Sequence, residues 1–156
     1  GKTKENIGLL GFSLGAMVAL NTHGLSDNFS SSIVVDPPVD FDTILREELE
    51  YQGVPSIVAS ALRFFWFTKT GESIDDITPE KALANGNSQE LFIVSNLLDE
   101  RVKPHHRDKL VSIAQNLGIP HSIEYYENYG HVENVWGSID EWEDTILNYF
   151  DRTLSG

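Results

Sequence analysis

The chain has 156 residues, 40% hydrophobic and 22% charged, a length and balance that fit one soluble globular domain around a single core. Eleven Lys and Arg against 24 Asp and Glu leave a formal net charge of −13, a field that repels nucleic-acid backbones and anionic membrane surfaces. Cysteine is absent, which excludes disulfides, thiol nucleophiles and thiolate metal sites, and no stretch approaches the roughly 20 apolar residues of a membrane span.

In chain order, residues 7–10 form a short apolar run that stops at Gly11-Phe12-Ser13-Leu14-Gly15. A small-residue helix is predicted over 15–21, ending near Gly24. Residues 32–36 are β-branched and apolar, a second buried strand closed by Pro37-Pro38. Helical patterns follow over 43–51 and 56–67, and Thr78-Pro79-Glu80 reads as a third helix start with Thr as cap and Pro in the first turn. An interval this long reads as a helical lid-type insertion, residues 41–87, within one domain spanning 1–156. Residues 91–95 are a third strand, followed by a helix beginning near Pro104, and the alternating 122–126 suit an edge strand. In the last helix Ser138 and Glu141 match a capping box, and Ile139, Trp142, Ile146 and Tyr149 mark one apolar face. Strands separated by helices predict an α/β fold: a parallel sheet of about four strands with helices on both faces.

The pentapeptide around Ser13 matches G-x-S-x-G. That motif turns sharply from strand to helix, exposes a serine hydroxyl and presents the next backbone N–H, here that of Leu14, to a developing oxyanion. A serine nucleophile requires a base and an orienting acid. His131, in a polar loop after the fourth strand, can serve as base. Asp99, after the third strand, can serve as acid, and Asp36, directly after the second, is the alternative. The order Ser, Asp, His is that of the α/β-hydrolase arrangement.

The segments "IGLLGFSLGAMVAL", "SIVVDPP", "LFIVSNLLDERVKP" and "YYENYGHVENVW" together resemble the C-terminal half of an α/β-hydrolase-fold protein of the serine esterase and peptidase kind, dienelactone-hydrolase-like enzymes included. The resemblance implies Ser13 as nucleophile, Asp99 as acid and His131 as base. Asn96 stands where such families commonly carry a glycine three residues before the acid; asparagine tolerates the left-handed backbone such a turn uses. Family members build several strands before the nucleophile strand, and these also supply the second oxyanion N–H. The chain is therefore expected to be part of a longer protein. Alternatively, its open strand edge is covered by a second chain or a second copy.

The expected activity is hydrolysis of an ester, thioester or amide bond of a small-molecule substrate through an acyl-enzyme, with no cofactor and no metal. The alternative is a non-catalytic binding or regulatory module, or an inactive fragment, that retains the fold. Phe12, Phe64 and Trp66 are candidates for a substrate pocket, although the run Phe64-Phe65-Trp66-Phe67 equally reads as the packed face of a lid helix. His105 and His106, adjacent at a helix start, are not expected to converge on one ion, and His23 and His121 read as structural. Gly1-Lys2-Thr3 resembles the tail of a phosphate loop but precedes a strand rather than a helix. No segment addresses the protein to a compartment, and the cytoplasm is the default expectation.

Overall fold

Periodicity of two in the central strands determines the layering of the molecule. The computed structural model describes residues 7–26, 28–73, 78–85 and 89–154; Gly1-Lys2-Thr3 and parts of the 41–87 interval lie outside them. Strands β1 (Gly8–Phe12), β2 (Ser31–Val35), β3 (Glu90–Asn96) and β4 (His121–Tyr126) form one parallel sheet in the order β1-β2-β3-β4. Along β2 and β3, Val34, Leu91 and Ile93 join one core cluster, while Ile33, Val35, Phe92 and Val94 join the other. The first is covered by helices α1 (Leu14–Leu25), α4 (Pro79–Leu83) and α5 (Pro104–Leu117), and the second by Trp142 and Tyr149 of α7 (Ile139–Thr153). Fully burying each such aliphatic side chain contributes about 1.5–3 kcal/mol, so the two central strands, buried on both faces, contribute to both halves of the core.

α1 runs on through Gly24 to Leu25. Gly24 is a contact glycine rather than a stop, because a Cβ there would lie 2.1 Å from the backbone carbon of Ala82 in α4. α2 (Phe41–Tyr51) starts two residues earlier than its apolar periodicity implies, because Asp40 caps it by accepting the Thr43 N–H at 2.9 Å. α3 (Ile57–Thr70) follows. Thr78 caps α4, its hydroxyl accepting the Lys81 N–H, and Pro79, Ala82 and Leu83 are buried. Of the predicted 41–87 interval, α4 thus belongs to the core layer against α1.

Between β4 and α7 lies the short α6 (Asn134–Gly137). At the start of α7, Ser138 donates its hydroxyl to Glu141 at 2.6 Å instead of capping a backbone N–H, and Ile139 is exposed. The capping box and one of the four expected face residues therefore differ from the prediction, while Trp142 and Tyr149 are buried. No helix among the described residues is long and apolar enough to cross a membrane.

Candidate active site

Ser13 lies between β1 and α1 with φ 51° and ψ −123°, a backbone conformation that costs of order 1–3 kcal/mol and persists only where the surroundings impose it. They do: its N–H donates to Val35 O at 2.9 Å, and its carbonyl accepts the Ala16 N–H at 2.9 Å. Gly11 is required, since a Cβ there would sit 2.5 Å from Gly15 O and 2.7 Å from Ala16 Cα. Gly15 is not required on the same ground, because a Cβ there meets nothing within 4 Å. Leu14 is the first residue of α1, where helical N–H groups lack intrahelical partners and favour negative charge.

The loops after β3 and β4 bring Asp99 and His131 to this turn. His131 Nε2 is 2.8 Å from Ser13 Oγ, and His131 Nδ1 is 2.7 Å from Asp99 Oδ2. The other Asp99 oxygen accepts the N–H groups of Arg101 and Val102 at 2.8 and 2.9 Å. Asp99 acts as acceptor throughout, so Nδ1 carries the imidazole hydrogen and Nε2 presents its lone pair to the serine hydroxyl. The loops are cross-tied by Leu98 N–H to Tyr129 O at 3.0 Å, and the second is braced within itself by Gly130 N–H to the Glu133 carboxylate at 2.8 Å. Asp36, the alternative acid, is buried beside them but makes no bond to the imidazole. Its carboxylate accepts N–H groups of Asn96 and Val132. Burial pushes the Asp36 carboxyl above its ordinary pKa, these donors oppose the shift, and neighbouring Asp99 adds to it.

A cavity of about 240 Å³ opens beside Ser13 and His131, walled by Leu14, Pro38, Phe41, Ile44, Leu45 and Val102. Phe41, Ile44, Leu45 and Glu48 form one face of α2 at helical spacing, a signal legible in the sequence once α2 is known to face the serine. At its mouth Arg101 forms a bidentate pair with Glu48, at 3.1 and 2.9 Å, which lowers the Glu48 pKa and raises that of Arg101. Phe12, Phe64 and Trp66 do not line this cavity. Phe12 packs edge-on against Trp142 in the second core cluster, and Phe64 is 71% exposed on α3. A second, more polar cavity of about 300 Å³ touches His131 on the far side of Arg101, between Tyr51, Glu100 and Glu133.

Glu47 of α2 reaches the rings of both adjacent histidines, 3.3 Å from His105 Nε2 and 3.0 Å from His106 Nε2. His106 Nδ1, however, accepts the Val39 N–H at 3.2 Å, so Nε2 bears the hydrogen and donates to Glu47. That leaves His106 no lone pair for a metal.

The family model of the prolyl oligopeptidase family matches residues 2–156. The chain belongs to the prolyl oligopeptidase family. Its members include serine hydrolases with the α/β-hydrolase fold, and the solved structures it resembles carry that fold. An acylaminoacyl peptidase of Pyrococcus horikoshii superposes with a TM-score of 0.74 at 17% identity, over 97% of this chain and 24% of that one. For an esterase of Pyrococcus furiosus the values are 0.72, 18%, 97% and 55%. For a puromycin-hydrolysing peptidase of Mycobacterium tuberculosis they are 0.75, 13%, 97% and 22%. The chain thus spans about a quarter of the two peptidases and about half of the esterase. No curated protein matches it. At these identities the superpositions speak to fold alone.

Proposed function

We propose that this chain carries the catalytic triad of a serine hydrolase, with Ser13 as nucleophile, His131 as general base and Asp99 as the acid that orients it. The observation that carries the reading is the unbroken hydrogen-bonded chain Ser13 Oγ–His131 Nε2 and His131 Nδ1–Asp99 Oδ2, at 2.8 and 2.7 Å. In the reaction His131 Nε2 takes the hydroxyl proton as Ser13 Oγ attacks the carbonyl carbon of an ester, thioester or amide. The tetrahedral oxyanion collects at the Leu14 N–H, the imidazolium returns its proton to the leaving group, and water clears the acyl-enzyme by the same route. The cavity beside Ser13 favours an apolar group on the substrate, and α2 acts as a lid-type wall over it. Where a second N–H donor joins that of Leu14, losing it would cost roughly 10²–10³ in turnover. The outer edge of β1, unpaired among the described residues, is covered by further strands of a longer protein, by a second chain or by a second copy.

A fluorophosphonate reagent tests the reading. The expected result is one covalent adduct mapped by mass spectrometry to Ser13, absent in Ser13→Ala and slowed at least 10²-fold in His131→Ala. An unlabelled wild-type protein, or labelling that survives Ser13→Ala, overturns it in favour of a non-catalytic module.

A further inference from the structure

We propose that Asp36 is a positioning residue, whose buried carboxylate clamps the loops carrying Asp99 and His131 to the end of β2. The proposal rests on the triad reading above and extends it to a residue that touches none of the reacting atoms.

The clamp is built from three bonds. Asp36 Oδ1 accepts the backbone N–H of Asn96 at 2.8 Å, and Oδ2 accepts both Asn96 Nδ2 at 2.6 Å and the backbone N–H of Val132 at 2.8 Å. Asn96 stands three residues before Asp99, and Val132 immediately follows His131. The residue before Asp36 is Val35, whose carbonyl accepts the Ser13 N–H. One side chain at the end of β2 therefore sits where the segments bearing all three triad members meet.

The backbone shows that the arrangement is held against its own preference. Asp36 itself has φ 45°, and Val132 has φ 59°, a left-handed conformation that a β-branched residue rarely adopts. Strain of this kind persists only where neighbouring contacts impose it, and the Val132 N–H is bonded to Asp36. A second layer supports the first: Asn96 Nδ2 also donates to Asn134 Oδ1 at 2.8 Å, and Asn134 is fully buried.

All three groups facing the Asp36 oxygens are donors. Only an acceptor on both oxygens satisfies them. Asp36→Asn keeps the shape but turns an NH₂ toward an N–H, which leaves a buried donor unpaired. The loops then relax, and displacement of a catalytic group by about 1 Å can cost 10²-fold in rate. Substrate contacts in the apolar cavity lie elsewhere, so binding is spared.

The test compares wild type, Asp36→Asn, Asn96→Ala and Asp99→Asn by fluorophosphonate labelling of Ser13 and by the low-field proton resonance of the His131 Nδ1–H, assigned by its loss in His131→Ala. The expected result is that Asp36→Asn slows labelling roughly 10–100-fold and shifts or broadens that resonance. In turnover of a model ester its kcat falls while KM stays within about two-fold. Asn96→Ala, which removes one arm of the clamp, gives a smaller loss in the same direction and serves as the deciding variant if Asp36→Asn does not unfold cooperatively. Wild-type labelling combined with unchanged rate and resonance in the folded variants overturns the positioning role and leaves the triad intact. Loss of the resonance in Asp36→Asn but not in Asp99→Asn overturns it by making Asp36 the acid. A wild-type protein that is never labelled fails the triad reading itself, and the resonance still reports whether Asp36 holds the His131 loop.

Discussion

The imidazole of His23 is buried on α1 with Nδ1 2.8 Å from Ser32 Oγ, and desolvation lowers its pKa from 6.5 to about 4. Between those values the unfolded chain holds a proton that the folded chain does not, so stability rises with pH across that window. The contribution is fully present above about pH 6.5, reaches about 3 kcal/mol, and is lost as pH falls toward 4. Urea denaturation at pH 7.5 and 4.5 should show this loss, and His23→Gln should flatten it. A residual slope of the same sign should remain from His106, whose pKa burial also lowers. The two glycines of the serine turn should behave oppositely. Gly11→Ala drives a Cβ into backbone at 2.5 Å and should cost about 1–3 kcal/mol. Gly15→Ala, in the first turn of α1 with open space around it, should stabilise by up to about 1 kcal/mol. Thermal unfolding of the two variants checks the pair.

Among the elements, α2 and α3 turn their apolar residues to different ends. α2 turns its apolar face to the cavity at Ser13 and is anchored by Asp40, which caps it and pairs with Lys109 at 3.2 Å. Asp40→Ala should therefore destabilise by about 1 kcal/mol, measured by denaturant midpoint. α3 buries only Ala59, and Phe64, Phe65 and Phe67 are 71%, 60% and 54% exposed. Phe64→Ser should thus change folding stability by less than about 0.5 kcal/mol, whereas Ile93→Ala, at a fully buried strand position, should cost about 2–5 kcal/mol. The apolar run of α3 is legible as a helix from its composition. Whether it meets a pocket, a core or solvent is not, because periodicity describes a face without naming what opposes it.

For the whole molecule, the sheet order leaves β1 paired only with β2 among the described residues. In a parallel ladder alternate residues bond to the same neighbour. Ile7 and Ser13 bond toward β2, which turns the N–H of Leu10 to the outer edge. Leu10→Pro should then suppress association across that edge while sparing the β1–β2 ladder. Sedimentation velocity over a concentration series checks it, with association in the wild-type protein increasing as salt screens the net charge of −13.

The sequence by itself determined the strand and helix succession, the serine turn after β1, and the placement of Asp36, Asp99 and His131 just beyond strand ends. These follow from local rules: apolar runs set strands, side-chain periodicity sets helix faces, and glycine permits the close approach of Gly11 to Gly15 and Ala16. Only the tertiary structure decided that Asp99 meets the His131 ring while Asp36 meets the Val132 N–H. It also decided that Phe41, Ile44 and Leu45 rather than Phe12, Phe64 and Trp66 wall the cavity, and that Glu47 gathers His105 and His106. Each of these pairings joins segments distant in sequence. It depends on how the sheet and its helices bring those segments together rather than on the residues of any one segment.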